Sequence, residues 1–353
     1  MWIIGCDFHS RYQQIAALNP ESGEIVERRL SHEGDEVEKF YASLPRGALV
    51  GMEATLPAQW FERTLQRCGH QLWVGDSAKI RAAEVRKQKT DPRDARHLLE
   101  LLRTDRFPRI WVPTPAERDL RQLLVHRHKL VRWRTQLGNQ LAALARNQGL
   151  LLPRRSWTSR ARQQLQACPL DPWAARRRQD LLLLLDHLDP QIQELTRQAE
   201  QEAQRRPESA ELMNAPGVGP VVSLAFVLTL GTAQRFPRGK QVASYLGLNP
   251  SEHSSGGRQK LGPISKQGNS LMRCLLVEAA WAAVRHDPEL RRFFQRLAFR
   301  RGRQVAIVAV ARKLAVKLYW RLRKLEQQSS VPPTSMQGSS GRDVVIATTS
   351  SSL

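Results

Sequence analysis

The sequence has no uncharged apolar run near the about 18 residues that a membrane-crossing helix requires, which argues against a transmembrane segment. Cysteine is scarce and dispersed. Cys6, Cys68, Cys168 and Cys274 form no Cys-x-x-Cys pair, so neither a disulfide framework nor a cysteine zinc site is expected, and a reducing cytosol fits. The opening MWIIGCDFHS lacks the basic n-region and long apolar core of a signal peptide. It reads as a strand, and a cytoplasmic location is expected. Acidic residues are outnumbered, 33 against 55 basic ones in 353 residues, for a formal net charge of +22. That excess points to a polyanionic partner, nucleic acid first.

Residues 1–112 read as α/β. The apolar runs WIIGC, QQIAAL, GEIVERRL, ALVGM and HQLWV predict five strands, and NPESG between the second and third is a turn. DEVEKFYASL and PAQWFERTLQRCG carry helical spacing. Residues 113–206 lose the strand signals. Leu120, Leu123, Leu130, Leu137, Leu141 and Leu144 recur at spacings of three, four and seven, as do Leu181, Leu185, Leu188, Ile192, Leu195 and Ala199. A helical coiled-coil spacer is expected, with a seam that favours self-association. Residues 207–326 form a mostly helical third segment, and 327–353 turn Ser/Thr/Pro/Gly-rich, as in a disordered tail.

Against this basic background four carboxylates stand out. Asp7 ends the first strand and Glu53 the fourth, and those strands can lie side by side. Asp91 and Asp94, in KTDPRDARHLLELL, sit three apart at a helix start and so share one face. Gathered together they would repel, unless some are protonated or a cation intervenes. Mg2+ prefers such oxygen ligands, and paired ions serve phosphoryl transfer. Singly, each acid has a plainer reading: Asp91 as a first-turn acid favoured by the helix dipole, Asp94 paired with Arg93 or Arg96, Asp7 capping a turn.

In the third segment APGVGPVVSLAF has the Gly-x-Gly turn of a helix-hairpin-helix element, in which Gly217 and Gly219 let backbone N–H groups approach a phosphate. Ser254 and Ser255 precede a Gly-Gly step, with Arg258, Lys260, Lys266 and Arg273 nearby to stabilise phosphate charge; the alternative is a solvated Ser-Gly loop. Arg86, Lys87 and Lys89 lie in the basic run before Asp91 and can follow a nucleic-acid backbone. Phe293, Phe294, Phe299, Trp60, Trp73, Trp281 and Trp320 read as core; Trp133 and Trp157, in Arg-rich stretches, are better stacking candidates.

GCDFHS, VGMEAT and KQKTDPRDA, in that order, resemble the motifs of the DEDD-type transposases and site-specific recombinases of bacterial insertion sequences, the group that includes the Piv invertases. EATLPAQW departs from the pattern, where many relatives carry Gly-Gly or Gly-Asn after the Thr. The resemblance continues in Gly247–Pro250, Ser255-Gly256 and Ile264–Asn269. It implies an N-terminal RuvC-like RNase H fold whose tetrad is Asp7, Glu53, Asp91 and Asp94, binding Mg2+. It implies a C-terminal transposase domain with Ser255 as the nucleophile, Ser254 staying open as its neighbour. Also implied are DNA as substrate, a homo-oligomer with a composite site, and a structured guide RNA that selects sequence by base pairing. Two other readings stand: a Holliday-junction-type nuclease using only the carboxylates, and a non-catalytic nucleic-acid-binding protein.

Overall fold

The computed structural model describes residues 1–54, 58–83, 90–151, 159–252, 254 and 260–330. The chain divides into two compact units, Met1–Pro113 and Thr114–Leu353. No helix among the described residues is long and apolar enough to cross a membrane.

The first unit is built on strands β1 (Ile3–Phe8), β2 (Tyr12–Leu18), β3 (Ile25–Ser31), β4 (Leu49–Glu53) and β5 (Gln71–Gly75), in the order β3-β2-β1-β4-β5. Consecutive β1, β2 and β3 are antiparallel because short turns join them; His9 N–H donates to the Tyr12 carbonyl at 2.9 Å across the first. β4 and β5 run parallel to β1, and parallel pairing needs a crossover. Helices α1 (Glu36–Ala42) and α2 (Gln59–Arg67) supply the crossovers, followed by α3 (Ser77–Ala82) and α4 (Asp91–Arg103). The predicted order of five strands and their helices is what the structure has.

Strand alternation splits the unit into two layers. Ile4, Cys6 and Phe8 enter a core with Val37 and Tyr41 of α1 and Phe61 and Leu65 of α2. The alternate residues Ile3, Gly5 and Asp7 face α4, which packs Ala95, Leu98, Leu99 and Leu102 against the sheet. Gly5 makes this packing close. A Cβ there would fall on the Ala95 carbonyl oxygen and the Leu99 nitrogen, well inside van der Waals contact.

In the second unit α5 (Pro115–Asn147) and α7 (Pro172–Gln204), each 33 residues and about 50 Å long, flank the short α6 (Ser159–Gln166). They are antiparallel, since Arg127, Arg134 and Gln140 along α5 pair with Thr196, Asp189 and Arg177 backward along α7. Thr114 and Glu117 form a capping box at the start of α5. Leu130, Leu141, Leu144, Leu181, Leu185, Leu188 and Ile192 are buried between the helices, as the leucine spacing predicted. Leu141 is fully buried, so Leu141→Ala is expected to cost about 2–5 kcal/mol, read as a lower urea midpoint.

The base of this hairpin does not stand apart. Leu124, Ala199 and Ala203 belong to the same buried cluster as the C-terminal helices, with Leu120 and Leu123 packed on it. Those helices are α8 (Pro207–Met213), α9 (Pro220–Leu230), α10 (Gly239–Tyr245), α11 (Ser270–His286), α12 (Pro288–Arg301) and α13 (Arg303–Ser330). α9 is apolar on every side and sits buried at the centre. Strands β6 (Pro250–Glu252) and β7 (Leu261–Ile264) form a small antiparallel pair. Two expectations need correcting. Gln327–Ser330 extend α13 rather than begin the tail, because the helix continues past the last core leucine. Phe299 is not core: it is 94 % exposed on α12, while Phe293 and Phe294 pack on the core from the opposite stripe. Trp60, Trp281 and Trp320 are likewise substantially exposed.

Candidate active site at the β1–α4 junction

Asp7 lies one residue beyond the last β1–β4 register pair, Cys6 with Met52, and Glu53 lies one beyond on β4. The two acids therefore sit at neighbouring strand ends, where adjacent strands are about 4.8 Å apart. α4 begins at Asp91, with Thr90 as N-cap, and Asp94 follows in its first turn. Both acids complement the helix N-terminus. The helix stripe that buries Ala95, Leu98 and Leu102 continues back to Asp91 and Asp94, so packing against the sheet also brings them to the β1 end.

Asp7 and Asp91 meet there through His9. Its Nε2 lies 3.0 Å from Asp7 Oδ2 and 3.7 Å from Asp91 Oδ2. One donor atom from each of the three residues falls within 4.8 Å of the others, a group able to hold a metal ion. The Tyr12 hydroxyl donates to Asp91 Oδ2 at 2.7 Å, and its ring stacks on His9, centroids 4.6 Å apart. Burial raises the Asp7 carboxyl above its ordinary range; His9 opposes this, and Asp94 and Asp91 add to it. The proximity of Asp94 to Asp7 is thus felt electrostatically. Glu53 has 18 % of its side chain exposed and accepts from Arg81 Nη2 at 3.5 Å. Arg96 pairs with Glu27.

His9 and Tyr12 escaped the sequence reading. The signal was there: His9 is two residues after Asp7, hence on the same strand face, and a two-residue turn sets Tyr12 opposite it.

The second unit holds the predicted serines, the Gly-x-Gly turn and the C-terminal cations. Ser255 and Arg258 lie outside the described residues, as do Arg86, Lys87 and Lys89. The Ser254 hydroxyl donates to Glu252 Oε1 at 2.6 Å and accepts from the Lys260 N–H at 3.1 Å. The flanking motif segments are bonded to each other: the Ser265 N–H donates to Asn249 O at 2.8 Å and the Lys266 N–H to Gly247 O at 3.2 Å. Lys266 has a left-handed φ of 56° and an exposed side chain. Arg273 Nη1 donates to the carbonyls of Leu246, Gln267 and Gly268, tying that loop to α11. Gly217, at φ 78°, packs on α11, where a Cβ would strike the Ala279 carbonyl and the Ala283 nitrogen. Gly219 is the N-cap of α9, with open space where a side chain would be.

Residues 4–147 match the family model DEDD_Tnp_IS110, described as a transposase, and residues 209–295 match Transposase_20, described as Transposase IS116/IS110/IS902 family. A protein of Pseudomonas aeruginosa, "Probable family 20 transposase", is 30 % identical over 328 residues, covering 90 % of this chain and 96 % of that protein. "Transposase for insertion sequence element IS1111A" of Coxiella burnetii is 28 % identical, covering 91 % of this chain and 89 % of that protein. "Transposase for insertion sequence element IS1328" of Yersinia enterocolitica is 26 % identical, covering 85 % and 86 %. With matches at both ends of the chain and near-full-length relatives, the chain belongs to the IS110 family of DEDD transposases.

Proposed function

We propose that this protein cuts and rejoins DNA for an insertion sequence, using a carboxylate site in the first unit and a serine in the second. The observation that carries the reading is the convergence of Asp7, Asp91 and Asp94 at one strand end, beside Glu53. The strand order β3-β2-β1-β4-β5, with carboxylates at the ends of β1 and β4, supports a RuvC-like RNase H fold. The donor set fits a divalent cation: like charges crowd there, and burial already disfavours the ionised form of Asp7. Asp7, Asp91, Asp94 and Glu53 would hold Mg2+, which when bound supplies charge neutralisation at a phosphate oxygen. Tyr12 orients the Asp91 carboxylate, and Arg81 orients Glu53.

In the second unit Ser255 is the nucleophile. Its oxygen attacks a backbone phosphorus, the bond to one sugar oxygen breaks, and that oxygen leaves as a hydroxyl after taking a proton. Attack on the serine phosphodiester by another strand's hydroxyl reverses the chemistry and rejoins DNA. Lys260 and Lys266, with Arg258, balance charge on the attacked phosphate. Gly217 and Gly219 serve a helix-hairpin-helix phosphate contact, and the basic run with Arg86, Lys87 and Lys89 follows a backbone. A homo-oligomer completes the site, and a structured guide RNA selects the DNA by pairing.

The test is an adduct trap. Full-length protein is incubated with Mg2+, a plasmid carrying its gene and flanking DNA, and RNA transcribed from those flanks. The product is then digested and the modified peptide sequenced. A nucleotide on Ser255, absent from Ser255→Ala, is expected. An adduct on Ser254 reassigns the nucleophile. Full strand transfer by Ser255→Ala, with none by Asp7→Ala, favours a nuclease that uses the carboxylates alone.

A further inference from the structure

We infer that His9 is itself a metal ligand, so that the β1–α4 site presents one imidazole nitrogen together with its carboxylates and takes a first-row transition-metal dication in preference to Mg2+. The inference rests on the metal-binding reading of the acidic cluster and goes beyond it, since a tetrad of carboxylates offers oxygen alone.

Three observations carry it. The first is distance. Donor atoms about 2.1 Å from an octahedral ion lie about 3.0 Å apart in neighbouring positions. His9 Nε2 and Asp7 Oδ2 are 3.0 Å apart, and Asp91 Oδ2 is 3.7 Å from the same nitrogen. The second is hydrogen-bond supply. A neutral imidazole offers at most one proton on Nε2, and two carboxylate oxygens crowd that atom. A dication among the three satisfies all of them at once.

The third is that the ring is held. The guanidinium carbon of Arg29 sits 3.7 Å from the Tyr12 ring centroid, and Tyr12 stacks on His9 with an interplanar angle of 26°. The Tyr12 hydroxyl bonds the same Asp91 oxygen that approaches His9. A hydrogen bond to a ligating carboxylate is the usual way a neighbouring residue fixes metal ligands. Tyr12 thus orients the imidazole with its face and the carboxylate with its hydroxyl. The His9 side chain, 36 % exposed, leaves room for waters or phosphate oxygens in the remaining positions. Mixed nitrogen and oxygen donors favour first-row transition ions, whereas Mg2+ favours oxygen.

Mn2+ alone is the probe, and electron spin-echo modulation of the loaded full-length protein is the readout. The expected spectrum contains a directly bound nitrogen whose modulation frequencies change when the protein is grown with 15N-histidine. His9→Ala should abolish that coupling and weaken Mn2+ binding about tenfold or more, while Mg2+ binding changes less than about threefold. His9→Gln offers an amide oxygen at similar reach. It should bind both ions without nitrogen coupling, and it serves if the alanine variant folds poorly. Mn2+ bound with no histidine nitrogen coupling, or with a coupling that survives in His9→Gln, overturns the inference and leaves the carboxylate site standing. Failure of the wild-type protein to bind either ion overturns both.

Discussion

Asp7→Asn is expected to reduce DNA strand breakage by about a thousandfold or more while leaving the protein as stable as before, or more so. The first part follows from position. Asp7 is the carboxylate on which His9, Asp91 and Asp94 converge, and metal-assisted charge stabilisation in phosphoryl transfer contributes several kcal/mol. The second follows from the direction of its shift. Burial, Asp94 and Asp91 raise the folded-state value above the ordinary 3.8, so the ionised form is held less comfortably in the folded chain than in the unfolded one. That cost is absent below the unfolded value and grows as pH rises through the folded one. Melting temperatures of the wild-type and Asn proteins should therefore converge near pH 4 and separate above it, with the variant higher. A divalent cation should raise the wild type and leave the variant nearly unmoved. A variant that melts well below the wild type at neutral pH without metal would contradict this account, as would one that still cuts DNA. Groups arranged for function at a cost in stability are the expected pattern at such a site.

Gly5→Ala should impair both stability and activity, although no chemistry depends on residue 5. Its new Cβ would meet main-chain atoms of α4 at Ala95 and Leu99, and no rotamer change can clear them. The helix must shift, at about 1–3 kcal/mol for the overpacked interface. Asp91 and Asp94 ride on that helix, so a displacement near 1 Å moves them from Asp7, a change worth about a hundredfold in rate. Gly51→Ala is the control. The atoms its Cβ would meet first belong to the Leu102 side chain, 2.7 Å away at Cδ1, which can turn aside. A lower urea midpoint together with a large loss of strand transfer is expected for Gly5→Ala, and a smaller loss of each for Gly51→Ala. Equal activity in wild type and Gly5→Ala would show that the carboxylate geometry does not depend on close packing of α4 against β1.

Much of the architecture was legible because it is written in short-range periods. The short apolar runs WIIGC and ALVGM mark buried strands whose ends carry Asp7 and Glu53, and leucine spacing marks the α5–α7 hairpin. The acids at the start of α4 were legible for the same reason. The hairpin's merger with the C-terminal core was not. Leu120, Leu124 and Ala199 look alike as seam residues whichever neighbour they meet, and only packing assigns them to the cluster around α9. Phe299 misled because it lies close in sequence to the packed stripe of Leu290, Phe293 and Phe294, yet shares its own helix face with Gln295 and Arg296.

By itself, the sequence determined which residues could be carboxylate donors, which faces they occupy on their own strands and helix, and the basic excess that attracts nucleic acid. Tertiary structure decided that Asp7 and Asp91 share a nitrogen of His9, that Tyr12 braces both, and that Glu53 is held by Arg81. The division has a physical cause. Side-chain direction along an element follows from local backbone geometry, whereas the meeting of distant elements depends on strand order and on how closely two backbones approach, here the gap that Gly5 leaves for α4.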